Sequence, residues 1–417
     1  MKKTAKAILV RTLGWQVRRL YRHNTFSTVA VVGSIGKSST KRAIARYLNQ
    51  SVSVQYQDGN YNDIISVPLV FFGLSMPSLY NPLAWMITFF LIEYELRRPY
   101  AYDVVVLELG TDGPGQIRQF ADYLSVDIAV ITAITPEHME HFGTIATVAE
   151  EEFAVTAFSS RVIMNIDDID TSYQKQSKAV TYGCGKNTDI RLIPGVGQAV
   201  IHDLQKTIKI ETPLLGQHSQ KVLAAAYAVG KELGITSKNP AEALSRIDAM
   251  PGRMQFFRGV RSSSIIDDTY NASPEAVTAA LDVLYGIDTK QRIAVLGNMN
   301  EMGEFTQTAH QTVGAYCDPK KLDLVIGIGP DAEKYLLPAA KKRGNTVLAF
   351  TSPYEVGGYL QTHIQTNAAV LVKGSQNGVF LEEAVKLILH NPEDTLRLVR
   401  QSDAWLAKKQ RLFTKKT

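Results

Sequence analysis

The residues best placed to do chemistry stand early in the chain, in TVAVVGSIGKSST at positions 28–40. A short apolar, β-type run breaks into a loop that holds Gly33 and Gly36 and ends in Lys37 and Ser38. Phosphate binding is the chemistry that needs this order. The two glycines let the backbone curl around an anion, and the amides opening the next helix, expected at about 37–48, point at it with the helix dipole behind them. Lys37 can neutralise terminal phosphates, and the Ser38 hydroxyl can ligate Mg²⁺. The fuller pattern wants a glycine where Val31 stands, which leaves an ordinary strand–turn–helix as the alternative.

Further candidates fall at predicted strand ends. Glu108 ends VVVLELG, where a carboxylate can reach Mg²⁺ beside phosphates or serve as a cap or ion-pair partner. His138 and His141 lie in ITPEHMEHFGT after another strand, either to ligate a second divalent ion or simply exposed in a loop. Arg253, in MPGRMQ at an apparent domain junction, can clamp a phosphate bidentately. Asp267 and Asp268 open DDTYNASPEA, which also reads as an N-capped helix start. Lys373 ends VLVKGS and can meet a carboxylate or phosphate, or stand exposed.

The elements that must position these residues follow from periodicity. Residues 1–25 form a basic amphipathic helix with Leu9, Leu13, Val17 and Leu20 on one face. From 26 to 250, strand-like runs (TVAVVG, YDVVVLELG, VDIAVITAI, RVIMNID) alternate with helical ones, which predicts a mainly parallel sheet covered on both faces. A second α/β pattern runs from 251 to 417 after Pro251-Gly252. Strand tips of such sheets are where ligands bind.

Composition bounds the function. The chain has 417 residues, 45% hydrophobic and 20% charged, which describes a globular protein of two or three domains. Two cysteines, Cys184 and Cys317, fit a reducing compartment and are expected to be buried small apolar residues. The net charge of +5 comes without a basic stripe interleaved with aromatics, so nucleic acid is not implied. The short apolar stretch at residues 7–10, cut by Arg11, is not expected to act as a secretory signal. Residues 64–92 carry no charge, and Pro68, Pro77 and Pro82 interrupt them, so a spanning helix is not expected. The readings are a buried core helix, or a helix in the membrane interface beside the basic N-terminal segment.

Eight segments in order, GSIGKSSTK, GNYNDIISVPL, ELGTDGPGQI, PEHMEHFGT, PGRMQ, DDTYNASPEAV, LGNMNEMGE and LVKGSQNG, resemble the Mur ligase family. The likeness is nearest to its MurF type, the branch that joins D-alanyl-D-alanine to a UDP-N-acetylmuramoyl tripeptide. It implies a P-loop central ATPase domain, with an apolar insert at about 70–98, followed by a Rossmann-like C-terminal domain. It also implies ATP and Mg²⁺ as cofactors and a cytoplasmic monomer. The implied chemistry is attack of a muramoyl-peptide carboxylate on ATP to give an acyl phosphate, which D-Ala-D-Ala captures as an amide. Carried over, the loop from Gly33 and Ser34 through Gly36 to Ser39 holds nucleotide, with Lys37 on the β/γ-phosphates. Ser38 and Glu108 bind one Mg²⁺ and His138 a second. Arg253 reaches phosphate, Asp268 the ribose, and Asn60 lies near the reacting acyl group. Asn271, Glu301, Lys373 and Ser375 line the dipeptide side.

The chain departs from the family in four places. Glu152 stands where the family carries a carbamylated, metal-binding lysine; it either ligates metal over a shorter reach, weakens the function, or belongs to a solvated acidic face with Glu150 and Glu151. The adenine motif reads GQHSQKV, keeping His218 but placing Ser219 and Val222 at its asparagines. Ser273 and Asn298 replace the branch's usual Asn and Asp. Only about 25 residues precede the loop, so the usual N-terminal UDP-binding domain is expected to be missing. The missing domain favours a related ligase with another, lipid-linked acceptor or amino acid, with peripheral membrane contact. A catalytically decayed nucleotide-binding partner is the remaining alternative.

Overall fold

The computed structural model describes the backbone of residues 3–59, 61–136, 138–174, 178–376 and 378–414. Asn60 therefore lies outside the described residues. The chain divides into two compact units, Met1–Thr212 with Gln220–Ile247, and Pro213–Ser219 with Asp248–Thr417.

The first unit is organised by β1 (Ser27–Val32), whose valines and alanine are buried on both faces, as an interior parallel strand requires. Its other strands are β2 (Val54–Gln55), β3 (Val104–Glu108), β4 (Val126–Ile131), β5 (Ser159–Asn165), β6 (Ala179–Gly183), β7 (Ile190–Pro194), β8 (Gln198–His202) and β9 (Thr207–Glu211). Among the described residues the order is β2-β3-β1-β4-β5-β6-β7-β8-β9. Pairing is parallel as far as β7 and antiparallel through β8 and β9. The antiparallel extension is legible in TIKIE, which alternates exposed and buried.

Helix α1 (Lys3–His23) buries Leu9, Leu13, Val17 and Leu20 in one core with Phe71, Phe120 and Ile131. Helix α2 (Lys37–Leu48) follows the glycine loop. The uncharged stretch behaves as two different segments. Ile65 through Phe72, with the short α3 (Val67–Val70), is core. Helix α4 (Pro82–Glu95), started by Pro82 and capped by Asn81 Oδ1 on the Ala84 amide at 3.0 Å, buries only Trp85, Thr88 and Ile92. Its Glu93 carboxylate takes Arg19 Nη1 at 2.6 and 2.8 Å, tying α4 to α1. The buried-core reading of 64–92 thus holds for its first half, while the second half is a helix with one buried and one exposed side. No helix among the described residues is long and apolar enough to cross a membrane.

The second unit is a sheet in the order β10-β11-β15-β12-β13-β14. Its strands are β10 (Gln255–Arg258), β11 (Ser264–Asp268), β12 (Arg292–Gly297), β13 (Leu324–Ile328), β14 (Val347–Phe350) and β15 (Ala369–Lys373). All pair in parallel except β10 with β11. Apolar clusters cover both faces. Cys317 is buried as expected; Cys184 is only half-buried, its thiol pushed up to about 12 by burial and by Asp167.

Candidate active site

The glycine loop is built by backbone that only glycine tolerates. Gly33 has φ +121°, and a Cβ there would lie 2.4 Å from Thr132 Oγ1; Gly36 has φ +86° and immediately precedes α2. The loop is stitched to the segment after β4. The Ser34 amide donates to Ala133 O at 2.9 Å, Ser34 Oγ to Thr135 O at 3.0 Å, and Thr132 Oγ1 to Ile35 O at 2.6 Å. Lys37 Nζ folds back onto the carbonyls of Gly33 and Ser34, the latter at 3.3 Å. The loop's shape is therefore held by its own hydrogen bonds, with its lysine on its own carbonyls.

Register places Glu108 beside this loop, since β3 pairs with β1 through Val31↔Glu108. Its carboxylate is buried, with Lys41 Nζ 3.2 Å from Oε2 and Asn62 Nδ2 3.4 Å from Oε1. Oε2 makes no hydrogen bond, so Lys41 neutralises it without occupying its lone pairs. The ion-pair reading of Glu108 is therefore present, in a form that leaves an oxygen available. Asn62, which sequence reasoning did not single out, touches Glu108 and also fixes Gly110, whose amide donates to Asn62 O at 2.8 Å.

His138 adopts φ +47° just before α5 (Met139–Phe142), with Nε2 3.7 Å from Oδ1 of the exposed Asp112. Helix α6 (Ile145–Phe153) carries the acidic run, and the solvated-face reading holds only for Glu150, which is exposed. Glu151 is buried and accepts from the amides of Gly115 at 2.5 Å and Ile117 at 2.6 Å, fixing the loop after β3. Glu152, 1% exposed, accepts from the Gly33 amide at 2.8 Å. One helix thus orders both the phosphate loop and its neighbour. Among the described residues no three His, Cys, Asp or Glu side chains form a metal cage.

In GQHSQKV, His218 is half-buried in the first turn of the helix Gly216–Glu232. Lys221 Nζ pairs with Asp168 at 2.8 Å and Asp167 at 3.2 Å, and Val222 is buried in the core. Gln220 closes onto Gly195, accepting from its amide at 3.1 Å and donating to its carbonyl at 2.7 Å. Of the two changed positions, Val222 is thus absorbed into the core.

In the second unit, parallel register sets Asp268 opposite Lys373, and the two form a buried ion pair at 2.5 Å. Lys373 also donates to Asn271 O at 2.9 Å, and the Met254 amide donates to Asp268 Oδ1 at 3.1 Å. Lys373 is thus buried, not an exposed strand end. Arg253 lies over the Tyr270 ring at 4.1 Å, its Nε buried without a hydrogen bond. Ser375 joins the other two motifs: its Oγ accepts from the Asn300 amide at 2.9 Å and donates to Ala272 O at 3.3 Å. Glu301 stands exposed at φ +64° beside it. Asn298 Oδ1 caps the amides of Asp331 and Ala332, and Ser273 caps the helix Pro274–Gly286. Both substituted positions are therefore structural caps here.

A cluster that sequence reasoning missed supports this turn. Arg400 donates to Thr269 O at 2.6 Å and Tyr270 O at 3.1 Å while paired with Glu382 at 2.8 Å. Lys409, fully buried, meets Glu382 at 2.8 Å and Glu383 at 2.6 Å. Beneath it Asp267 is buried, and that burial, opposed by Thr269 and reinforced by Glu382 and Asp268, lifts its carboxyl to about 7.

A parallel sheet whose first strand runs into a glycine loop and lysine-led helix, joined to a second doubly covered α/β unit, defines a class of phosphate-binding α/β enzyme. The comparisons make it particular. The Mur ligase middle domain matches residues 31–230, and the Mur ligase glutamate ligase domain matches residues 252–376. The chain belongs to the Mur ligase family. It is 29% identical over 380 residues to the UDP-N-acetylmuramoyl-tripeptide–D-alanyl-D-alanine ligase of Bacillus subtilis, covering 87% of this chain and 76% of that one. The Escherichia coli protein of the same name is 26% identical over 376 residues, covering 87% and 77%. Among solved structures, MurF of Thermotoga maritima in complex with ADP has a TM-score of 0.74 at 22% identity, over 93% of this chain and 84% of that one. MurF of Acinetobacter baumannii has a TM-score of 0.74 at 22% identity, over 91% and 80%. These two likenesses are of fold.

Proposed function

We propose that the chain is an ATP-dependent amide ligase that activates a muramoyl-peptide carboxylate and joins it to D-Ala-D-Ala, acting as a cytoplasmic monomer. The observation that carries the reading is the glycine loop, with Gly36 left-handed and Lys37 at the head of α2, in a chain whose relatives bear that ligase's name. The residues present fit a nucleotide with Mg²⁺. The loop offers free curvature and helix-start amides to phosphate, and Glu108 offers a buried carboxylate oxygen that makes no hydrogen bond. Mg²⁺ beside phosphates needs only one or two protein ligands of this kind.

In this reading Lys37 turns from the Gly33 and Ser34 carbonyls to β/γ-phosphate, and Ser38 with Glu108 would hold Mg²⁺, which would supply charge neutralisation there. His138 is assigned to a second ion. Glu152 is assigned to the loop, where its Oε2 accepts from Gly33. Arg253 serves phosphate and Asp268 the ribose, with Asn271, Glu301, Lys373 and Ser375 on the dipeptide side. The protein's contribution is positioning and charge neutralisation. ADP production that requires both a muramoyl tripeptide and D-Ala-D-Ala is the expected result. Production with a different amino acid would instead make it a related ligase. None with any pair would make it a decayed nucleotide binder.

A further inference from the structure

The exposed side of α4 is an apolar stripe that the described residues leave largely uncovered. Leu83, Met86, Ile87, Phe90, Leu91 and Tyr94 recur at the three- and four-residue spacing of one helix face, and Leu83, Met86 and Phe90 are 62%, 67% and 73% exposed. The opposite face already packs on the core through Trp85, Thr88 and Ile92. The helix is thus apolar all round with only half of that surface used, which marks an interaction surface. On α1, joined to α4 by Arg19–Glu93, Ile8 and Trp15 are also exposed, and Arg19 lies over the Trp15 ring at 4.5 Å.

Charge indicates what covers it. The two carboxylates nearest the stripe are each paired with arginine, Glu93 with Arg19 at 2.6 Å and Glu95 with Arg98 at 3.6 Å. Exposed Arg97 follows α4, and exposed Lys6, Arg11 and Arg22 stand along α1. The border of the apolar face is therefore net positive. Tyr80, Tyr94 and Trp15, all exposed, are the amphipathic rings that settle at a lipid–water boundary. At 14 residues α4 falls short of the roughly 20 needed to span a bilayer. A short helix with an apolar face and cationic flanks lies in the plane of the interface.

We propose that α1 and α4 dock the first unit onto an anionic lipid bilayer, with the Leu83–Tyr94 face in the headgroup–acyl boundary and the arginines on lipid phosphates. The inference goes beyond the ligase reading and does not rest on it, because binding needs no turnover. The test is flotation of the full chain with phosphatidylglycerol–phosphatidylcholine vesicles and with phosphatidylcholine alone, at low and high salt. The protein should float with the anionic vesicles and be released by salt. M86E/F90E should abolish flotation. R97Q/R98Q, at solvated positions that leave the fold alone, should weaken it by roughly fivefold per arginine. Both variants should keep the native circular dichroism. Absence of flotation by the native chain would overturn the proposal, as would equal flotation by both variants. A lipid-free dimer that M86E/F90E dissociates, without vesicle binding, would overturn it in favour of contact between copies of the chain.

Discussion

Replacing Glu152 separates a metal ligand from a loop anchor. The side chain is buried and its Oε2 accepts the Gly33 amide at 2.8 Å, in a loop where Gly33 can be no other residue. Glu152→Ala strands that buried N–H, and the desolvation cost of such a group is about 1–3 kcal/mol. In a unit of this size each kcal/mol shifts Tm by about 2–4 °C. Glu152→Gln keeps an oxygen that can accept the same proton, so it should lose less than about 1 kcal/mol, the net worth of a neutral hydrogen bond. The assay is thermal unfolding of the two variants beside native protein, with ADP production titrated against Mg²⁺. Loop anchoring requires Gln to resemble native protein in both readouts and Ala to fall in stability and raise the KM for nucleotide. A Gln variant whose Mg²⁺ requirement rises as far as that of Ala would refute the reasoning, because only a ligand needs the charge.

Lys37→Ala should reduce ADP production by about 10²-fold or more while leaving the fold intact by circular dichroism, as expected for a donor aimed at transferring phosphate. Lys373→Met leaves Asp268 buried without its cation and should cost about 3–5 kcal/mol in urea unfolding, with D268N/K373M recovering much of that loss. Asp267 holds its proton to about 7 when folded against 3.8 unfolded, so its stabilising contribution is full below the lower value and is lost as pH rises to the upper one. Across that window native protein should lose stability relative to Asp267→Asn; a constant difference between the two at all pH values would contradict the assignment.

What was legible in the sequence was what local pattern encodes. Val-rich runs ending in glycine or a carboxylate gave the parallel strands, and 3.6-residue spacing placed the buried face of α1. Where two faces of one segment have different fates, pattern failed. Residues 65–72 and 82–95 are equally apolar, and only the packing of α1 distinguishes core from surface. The site was legible as a set of residue types but not as contacts. Nothing in the run Glu150–Glu152 says that its last two carboxylates turn inward to amides of two different loops. Asn62 and Lys41 on Glu108 were hidden for the same reason: their roles exist only once β3 lies beside β1.

The Arg400 contact bears on synthesis. The guanidinium that holds the Thr269 carbonyl stands 131 residues further along the chain. During translation the motif DDTYNASP is made early, yet the cation that shapes its turn follows only after β12 through β15 have been extruded. Until then the Thr269 and Tyr270 carbonyls lack the guanidinium that holds them. The turn of the second unit therefore takes its final hydrogen bonds only when the last residues of the unit have been made.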